Sequence, residues 1–209
     1  MSRQTVTVVA ALLGALALVA VTVLITLALD GDDSSRSGAM GHGMAQSYPA
    51  SEAEYLTEMV AHHEDAVDAA TQLARSERKQ MRELGASIVD SQTAQIEQMN
   101  DWLARWHPDA DPTHYEPMMR DLSGLDGDQL DRAFLDDMIG HHMTAVMMSQ
   151  HLLAADLAEH AEVTELAEQI REEQHAEIAT MMRWFRDWYG ASWRGGPMGM
   201  MGDWSGDGN

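Results

Sequence analysis

One stretch of this chain occurs twice, and the repetition limits what the chain can fold into. Tyr55-Leu56-Thr57-Glu58-Met59-Val60-Ala61-His62-His63 is answered 79 residues later by Phe134-Leu135-Asp136-Asp137-Met138-Ile139-Gly140-His141-His142. Each His-His pair is followed by Ala-Val, as Ala66-Val67 and Ala145-Val146. A second pair of stretches repeats at an offset of 82: Ile88, Gln92, Ile96, Met99, Trp102, Leu103 and Trp106 align with Ile170, Gln174, Ile178, Met181, Trp184, Phe185 and Trp188. The apolar residues recur at helical spacing, so each half reads as two amphipathic helices. A helical hairpin with one apolar face cannot bury that face alone. Two of them together predict an all-α antiparallel four-helix bundle. No stretch alternates like a strand.

Local signals place the boundaries. Ser51 with Glu54 three residues on is a capping box, opening a helix to about Ala74. Ser76 opens a second, which stops at His107-Pro108 because proline restricts the residue before it. Residues 108–127 contain Pro112, Pro117, Gly124 and Gly127, a long connection expected to cross the bundle end. The third helix runs from Gln129 to about Ala155 and the fourth spans 160–189, with Gly190 as its C′ residue. The bundle is thus 51–190, with repeats at 51–107 and 128–190.

Outside the bundle, Thr5–Leu29 is 25 residues without a charge. As a helix it would be about 37 Å long, enough to cross a bilayer core of about 30 Å. A signal peptide competes, but its apolar region is usually only about 7–15 residues. We expect an N-terminal transmembrane anchor at 1–30, with secretion the outcome if it is cleaved. Arg3 before it and Asp30, Asp32 and Asp33 after it put the bundle on the extracytoplasmic side. Residues 31–50 read as a flexible Gly/Ser linker holding Met40-Gly41-His42-Gly43-Met44, and 191–209 as a second Met/Gly-rich tail.

The chemistry follows from which residue types are present. With 34 acidic and 13 basic residues, the formal charge of −21 argues against nucleic acid and favours cations. No cysteine is present, which excludes thiolate metal sites and iron–sulfur clusters. Met59 stands one turn below His62 and His63, and Met138 below His141 and His142, so each repeat offers two imidazoles and a thioether. Glu58 and Asp137, four residues before the first histidine of each pair, are expected to orient the rings. Met143, Met147 and His151 extend a Met/His stripe along the third helix. Imidazole with thioether suits copper as Cu(I) or Cu(II), whereas zinc or iron leaves the methionines unexplained. The metal candidates are therefore Met59, His62, His63, Met138, His141, His142, Met147 and His151. The competing reading is a structural or interaction bundle whose histidines serve the core. His107, His114 and His160 read as surface residues. A ferritin-like redox enzyme needs Glu-x-x-His on two helices. Glu172-x-x-His175 supplies one, but Asp90 and Thr93 stand at the matching positions of the second helix.

At these residues the chain resembles a bacterial, ferritin-like family known as domain of unknown function 305. Its members look like M-[IV]-x-H-H-x-x-A-[IV]-x-[MA]-A on one helix and Q-x-x-E-I-x-x-M-x-x-W-L on the next. Met59–Ala70 and Gln92–Leu103 match in the first half, with Gln95 where Glu is usual. Met138–Ser149 and Gln174–Phe185 match in the second, with Glu177 in place. The resemblance covers about 140 residues. Some members are periplasmic copper-binding proteins with His and Met ligands, so it implies copper sequestration or handling without catalysis.

Overall fold

The computed structural model describes residues 48–195. Four α-helices and no strand occur among them: α1 Glu52–Thr71, α2 Lys79–Trp106, α3 Gly127–Ala154 and α4 Ala161–Tyr189. The expected membrane helix at 5–29 lies outside the described residues, as do Met40–Met44 and the Met-rich tail. No helix among the described residues is long and apolar enough to cross a membrane.

The ends of the helices follow from a few side chains. Ser51 Oγ accepts the Glu54 N–H at 3.2 Å. Glu54 reaches back one residue further than a standard capping box and takes the Ala50 N–H at 2.7 Å. After Thr71 the chain tightens into one 3₁₀ turn, Gln72–Arg75. Ser76 does not open α2, because its extended backbone turns the chain and its hydroxyl takes the Arg78 N–H at 3.1 Å. Gly190 ends α4 in the left-handed region at φ 64°, where glycine carries no Cβ penalty.

Gly85 is where α2 presses closest on the end of α1. A Cβ there would lie 2.8 Å from the Ala70 carbonyl oxygen and 2.8 Å from Leu73 Cβ. Backbone cannot yield as a flexible side chain can. We expect Gly85→Ala to lower stability by about 1–3 kcal/mol in urea unfolding, because the clash outweighs the better helix propensity of alanine. An unchanged midpoint would show that α2 can shift away.

Cross-helix contacts give the topology. His63 meets Gln95 and Glu52 meets His107, so α1 and α2 run antiparallel. Tyr55 meets Ser149 and His62 meets His141, so α1 and α3 are antiparallel too. It follows that α2 and α3 are parallel. The connection between them therefore does not cross the bundle end, as expected from sequence, but runs the length of the bundle. A 28-residue helix is about 42 Å long, and roughly 20 extended residues can span it. The connection lies over α1 and α3, with Tyr115 on His62, the Met118 and Met119 N–H groups on Asp65, and Arg120 on Asp137.

The core has two apolar clusters. One gathers Ala66, Leu73, Met81, Ile88, Phe134, Met138 and Met181 at one end. The other gathers Tyr55, Met59, Met99, Trp102, Met148 and Ile170 at the opposite end. The repeat shows again in paired indole stacks, Trp102 on Trp106 at 5.4 Å and Trp184 on Trp188 at 5.2 Å.

Candidate metal centre

Between the two apolar clusters lies a polar layer made of His62, His63, His141, His142, Gln92, Gln95 and Gln174, all buried. Adjacent residues on a helix point about 100° apart, and both histidines of each pair are buried because the first faces the α1–α3 contact and the second faces α2 or α4. Burial makes three of the imidazoles resist protonation. His62 is held well below the usual histidine range by burial first, then by repulsion from His141 and His63. His141 is depressed in the same way, by burial and then by His142 and His63. Burial brings His63 down to about 4, against a smaller upward push from Gln95. These three rings are neutral at pH 7, the form that offers a lone pair to a metal.

The outer two rings are anchored alike. His63 Nε2 lies 2.9 Å from Gln95 Oε1 on α2. His142 Nε2 lies 2.6 Å from Glu177 Oε2 on α4, the equivalent position of the second repeat. A carbonyl or carboxylate oxygen only accepts, so each Nε2 carries the proton. In the neutral ring the lone pair is then on Nδ1, and in both residues Nδ1 is buried with no hydrogen-bond partner. An acceptor that fixes the tautomer from behind is how metal-binding histidines are commonly held.

The inner two rings face each other. His62 and His141 stack with centroids 3.7 Å apart and planes 22° from parallel. His62 donates from Nε2 to the His141 carbonyl oxygen at 3.0 Å, so its Nδ1 is the acceptor toward the Tyr115 hydroxyl at 3.1 Å. That hydroxyl also lies 3.1 Å from Asp65 Oδ2, so one phenolic proton serves two acceptors. His141 Nε2 is 3.3 Å from the same Asp65 oxygen. The contact would be an ion pair only with a protonated ring, and it is not aligned as a hydrogen bond. Both His141 nitrogens are accordingly without a hydrogen-bond partner.

The donor set fits a metal ion: imidazoles with four unpartnered buried nitrogens, two of them the Nδ1 atoms of rings anchored alike through Nε2. The arrangement is not yet a closed coordination shell. Stacked rings cannot aim their in-plane lone pairs at one ion, so the inner pair must tilt apart for both to ligate.

Met59 and Met138 are fully buried, and the structure puts them on opposite sides of this layer. The reason is the antiparallel pairing of α1 and α3: one turn before the histidines points toward opposite ends in the two helices. Met147 and His151 lie outside the layer. Met147 is 43% exposed, and Tyr48 covers the pair, its ring stacked 5.1 Å from His151 and its hydroxyl donating to Met147 Sδ at 3.7 Å. Glu58 and Asp137 do not orient the histidines. The ring nitrogens that are hydrogen-bonded face groups on other segments. Asp137 instead takes Arg120 Nε at 2.6 Å. The side chains that do hold the rings, Gln95, Glu177 and Tyr115, come from other segments, and only Gln95 and Glu177 carried a signal, as a repeated motif position. Glu172 and His175 are exposed on α4.

Two surface grooves lie beside the layer. One, of about 340 Å³ between α2 and α4, is lined by Glu177, Glu83, Ser87 and Trp184. The other, also about 340 Å³, runs between α1 and the long connection, lined by Asp65, Asp68, Met119 and Asp121. Each is lined in part by a carboxylate in contact with a histidine, Glu177 with His142 and Asp65 with His141.

Comparison with known proteins agrees on the fold. The family described as "Domain of unknown function (DUF305)" matches residues 52–185, and again 131–205. The chain is similar to CopM in its Cu(I)-bound form, at 28% identity over 68% of this chain and 99% of that one, with a TM-score of 0.60. CopM in the Cu(II)-bound form is 29% identical over 66% of this chain and 98% of that one, with a TM-score of 0.59. A DUF305 fragment from Deinococcus radiodurans is 32% identical over 67% of this chain and 98% of that one, with a TM-score of 0.58. No functionally curated protein matches.

Proposed function

We propose a copper-handling role for this chain, which belongs to the DUF305 family: it binds copper in the polar layer at the centre of its bundle. The observation that carries this reading is the matched pair of free Nδ1 lone pairs on His63 and His142, each with its Nε2–H tied to a side chain behind it. His141 joins them, and His62 follows once its ring tilts off the stack. Met59 and Met138 flank the layer from either side and supply thioethers that favour Cu(I), while the imidazoles serve both oxidation states. The similarity to CopM, solved with Cu(I) and with Cu(II), supports copper as the ion. The acidic grooves lined by Asp65 and Glu177 offer routes inward for a cation. Exposed Met147 with His151 is a first capture point on the surface. We further propose that residues 5–29 anchor the ferritin-like bundle outside the cytoplasmic membrane, on the strength of their length and the flanking charges.

Isothermal titration of the full-length chain with Cu(I) and Cu(II) tests the central site. His63→Gln/His142→Gln keeps an amide N–H for Gln95 and Glu177 and removes both Nδ1 lone pairs. The double variant should lose the tightest copper equivalent. Unchanged binding of both ions would overturn the reading. A structural role for the histidines is the second reading, favoured by the full engagement of His62. It expects added copper to leave the melting temperature of the wild-type chain where it is.

A further inference from the structure

Away from the imidazole layer, three side chains meet at one end of the bundle. Glu52, in the first turn of α1, is fully buried. Its Oε1 accepts hydrogen bonds from His107 Nε2 at 2.8 Å and His160 Nδ1 at 2.7 Å. Its Oε2 accepts the backbone N–H groups of Glu159 and His160 at 2.6 and 2.9 Å. His107 follows the last residue of α2, and His160 precedes α4. The His160 ring lies flat on Trp106, 3.7 Å away with planes 3° apart, and His107 stands edge-on to it at 84°. These contacts turn one nitrogen of each ring toward a single carboxylate oxygen. The three ligand atoms lie within 4.8 Å of one another, and no other group of three or more His, Cys, Asp or Glu converges so closely among the described residues.

We propose that Glu52, His107 and His160 form a second metal site, separate from the copper layer, for a divalent ion of borderline softness such as zinc. Two imidazoles and a carboxylate are the donors of open zinc sites, with a fourth position left for water. The two side chains that would border that position, His107 and His160, are 15% and 31% exposed. Glu52 is already oriented through Oε2, and those two backbone bonds persist when Oε1 turns to an ion. The two ligating nitrogens donate to Glu52 in this structure, so an ion must displace those protons to solvent, and each ligating ring then carries its one proton on the other nitrogen, Nδ1 of His107 and Nε2 of His160. An ion bound at about 2.0–2.1 Å needs ligand atoms roughly 3.3 Å apart, so the site must open by about half an ångström. The part-exposed rings have room to do so. Glu52 precedes His62 by ten residues of α1, about 15 Å of helix, so an ion here touches none of the central histidines.

Zinc titration of the full-length chain, followed by equilibrium dialysis and metal analysis, is the test. The wild type should bind one Zn(II) equivalent that His107→Gln and His160→Gln each lose, while both variants retain the copper binding of the wild type. Mass spectrometry after diethylpyrocarbonate treatment makes the same test without a variant: zinc should protect His107 and His160 and leave exposed His114 reactive. Equal zinc stoichiometry in a folded variant, or modification of His107 and His160 that zinc does not slow, would overturn the proposal. A wild type that takes up this zinc equivalent but no copper would count against the central site and leave this one standing.

Discussion

Acidifying the metal-free protein from pH 7 to pH 4 should destabilise it by several kcal/mol, the loss beginning above the range in which its carboxylates are neutralised. The cause is the buried imidazole layer. A histidine whose folded pKa lies below its unfolded value binds its proton more tightly in the unfolded chain. Its contribution to stability is complete above about 6.5 and is lost as the pH falls toward the folded value. For His63 the window runs from 6.5 down to about 4. The corresponding loss is about 3 kcal/mol from this residue alone. His62 and His141 are shifted in the same direction by the same burial and add to it. Against a total stability of roughly 5–15 kcal/mol, this is a large share. Urea unfolding at a series of pH values checks it: the midpoint should fall steadily below pH 6.5. A flat midpoint between pH 6.5 and 5 would mean that water reaches the layer. Bound copper should move the descent to lower pH, because a metal competes with protons for the same nitrogens.

The second large effect separates packing from ligation at Met138. Its side chain is fully buried beside Phe134 and Met181. Met138→Ala should cost about 2–5 kcal/mol, because the removed atoms leave a cavity in a core that only partly collapses. Met138→Leu conserves volume and should cost less than about 1.5 kcal/mol. The leucine variant therefore keeps the fold while deleting the sulfur. If the thioether ligates, Cu(I) affinity should drop roughly tenfold or more in this variant, on the scale of losing a supporting contact at a metal site. Cu(II) affinity should change little, since imidazole is its preferred donor. Equal Cu(I) affinity in both proteins would assign Met138 to packing alone. The same pair of substitutions at Met59 probes the opposite side of the layer.

The amphipathic repeat made the four helices and their buried faces legible from the residues alone. Ser51 and Gly190 marked two ends correctly, because capping is decided within a turn of chain. The limits α1 and α2 share with the 3₁₀ turn were not legible, since Ser76 resembles a helix start and is used as a turn. The doubled His-His pair was visible as part of the same repeat, one turn above a methionine in both halves.

What the residues could not convey is the level at which one helix meets another. Periodicity says which face of α1 is inside, but the axial offset between helices depends on how all four apolar faces interlock. That offset brings Gln95 and Glu177 behind His63 and His142, lays Tyr115 over His62, and sends Met59 and Met138 to opposite ends of the layer. It also gathers Glu52, His107 and His160 from the ends of three helices, where no spacing rule connects them. The sequence by itself determined a helical bundle of two repeated hairpins, because a repeated helical period gives each hairpin an apolar face that only the other can cover. Only the tertiary structure decided which lone pairs remain free, because that is set by the acceptors facing each ring from neighbouring segments.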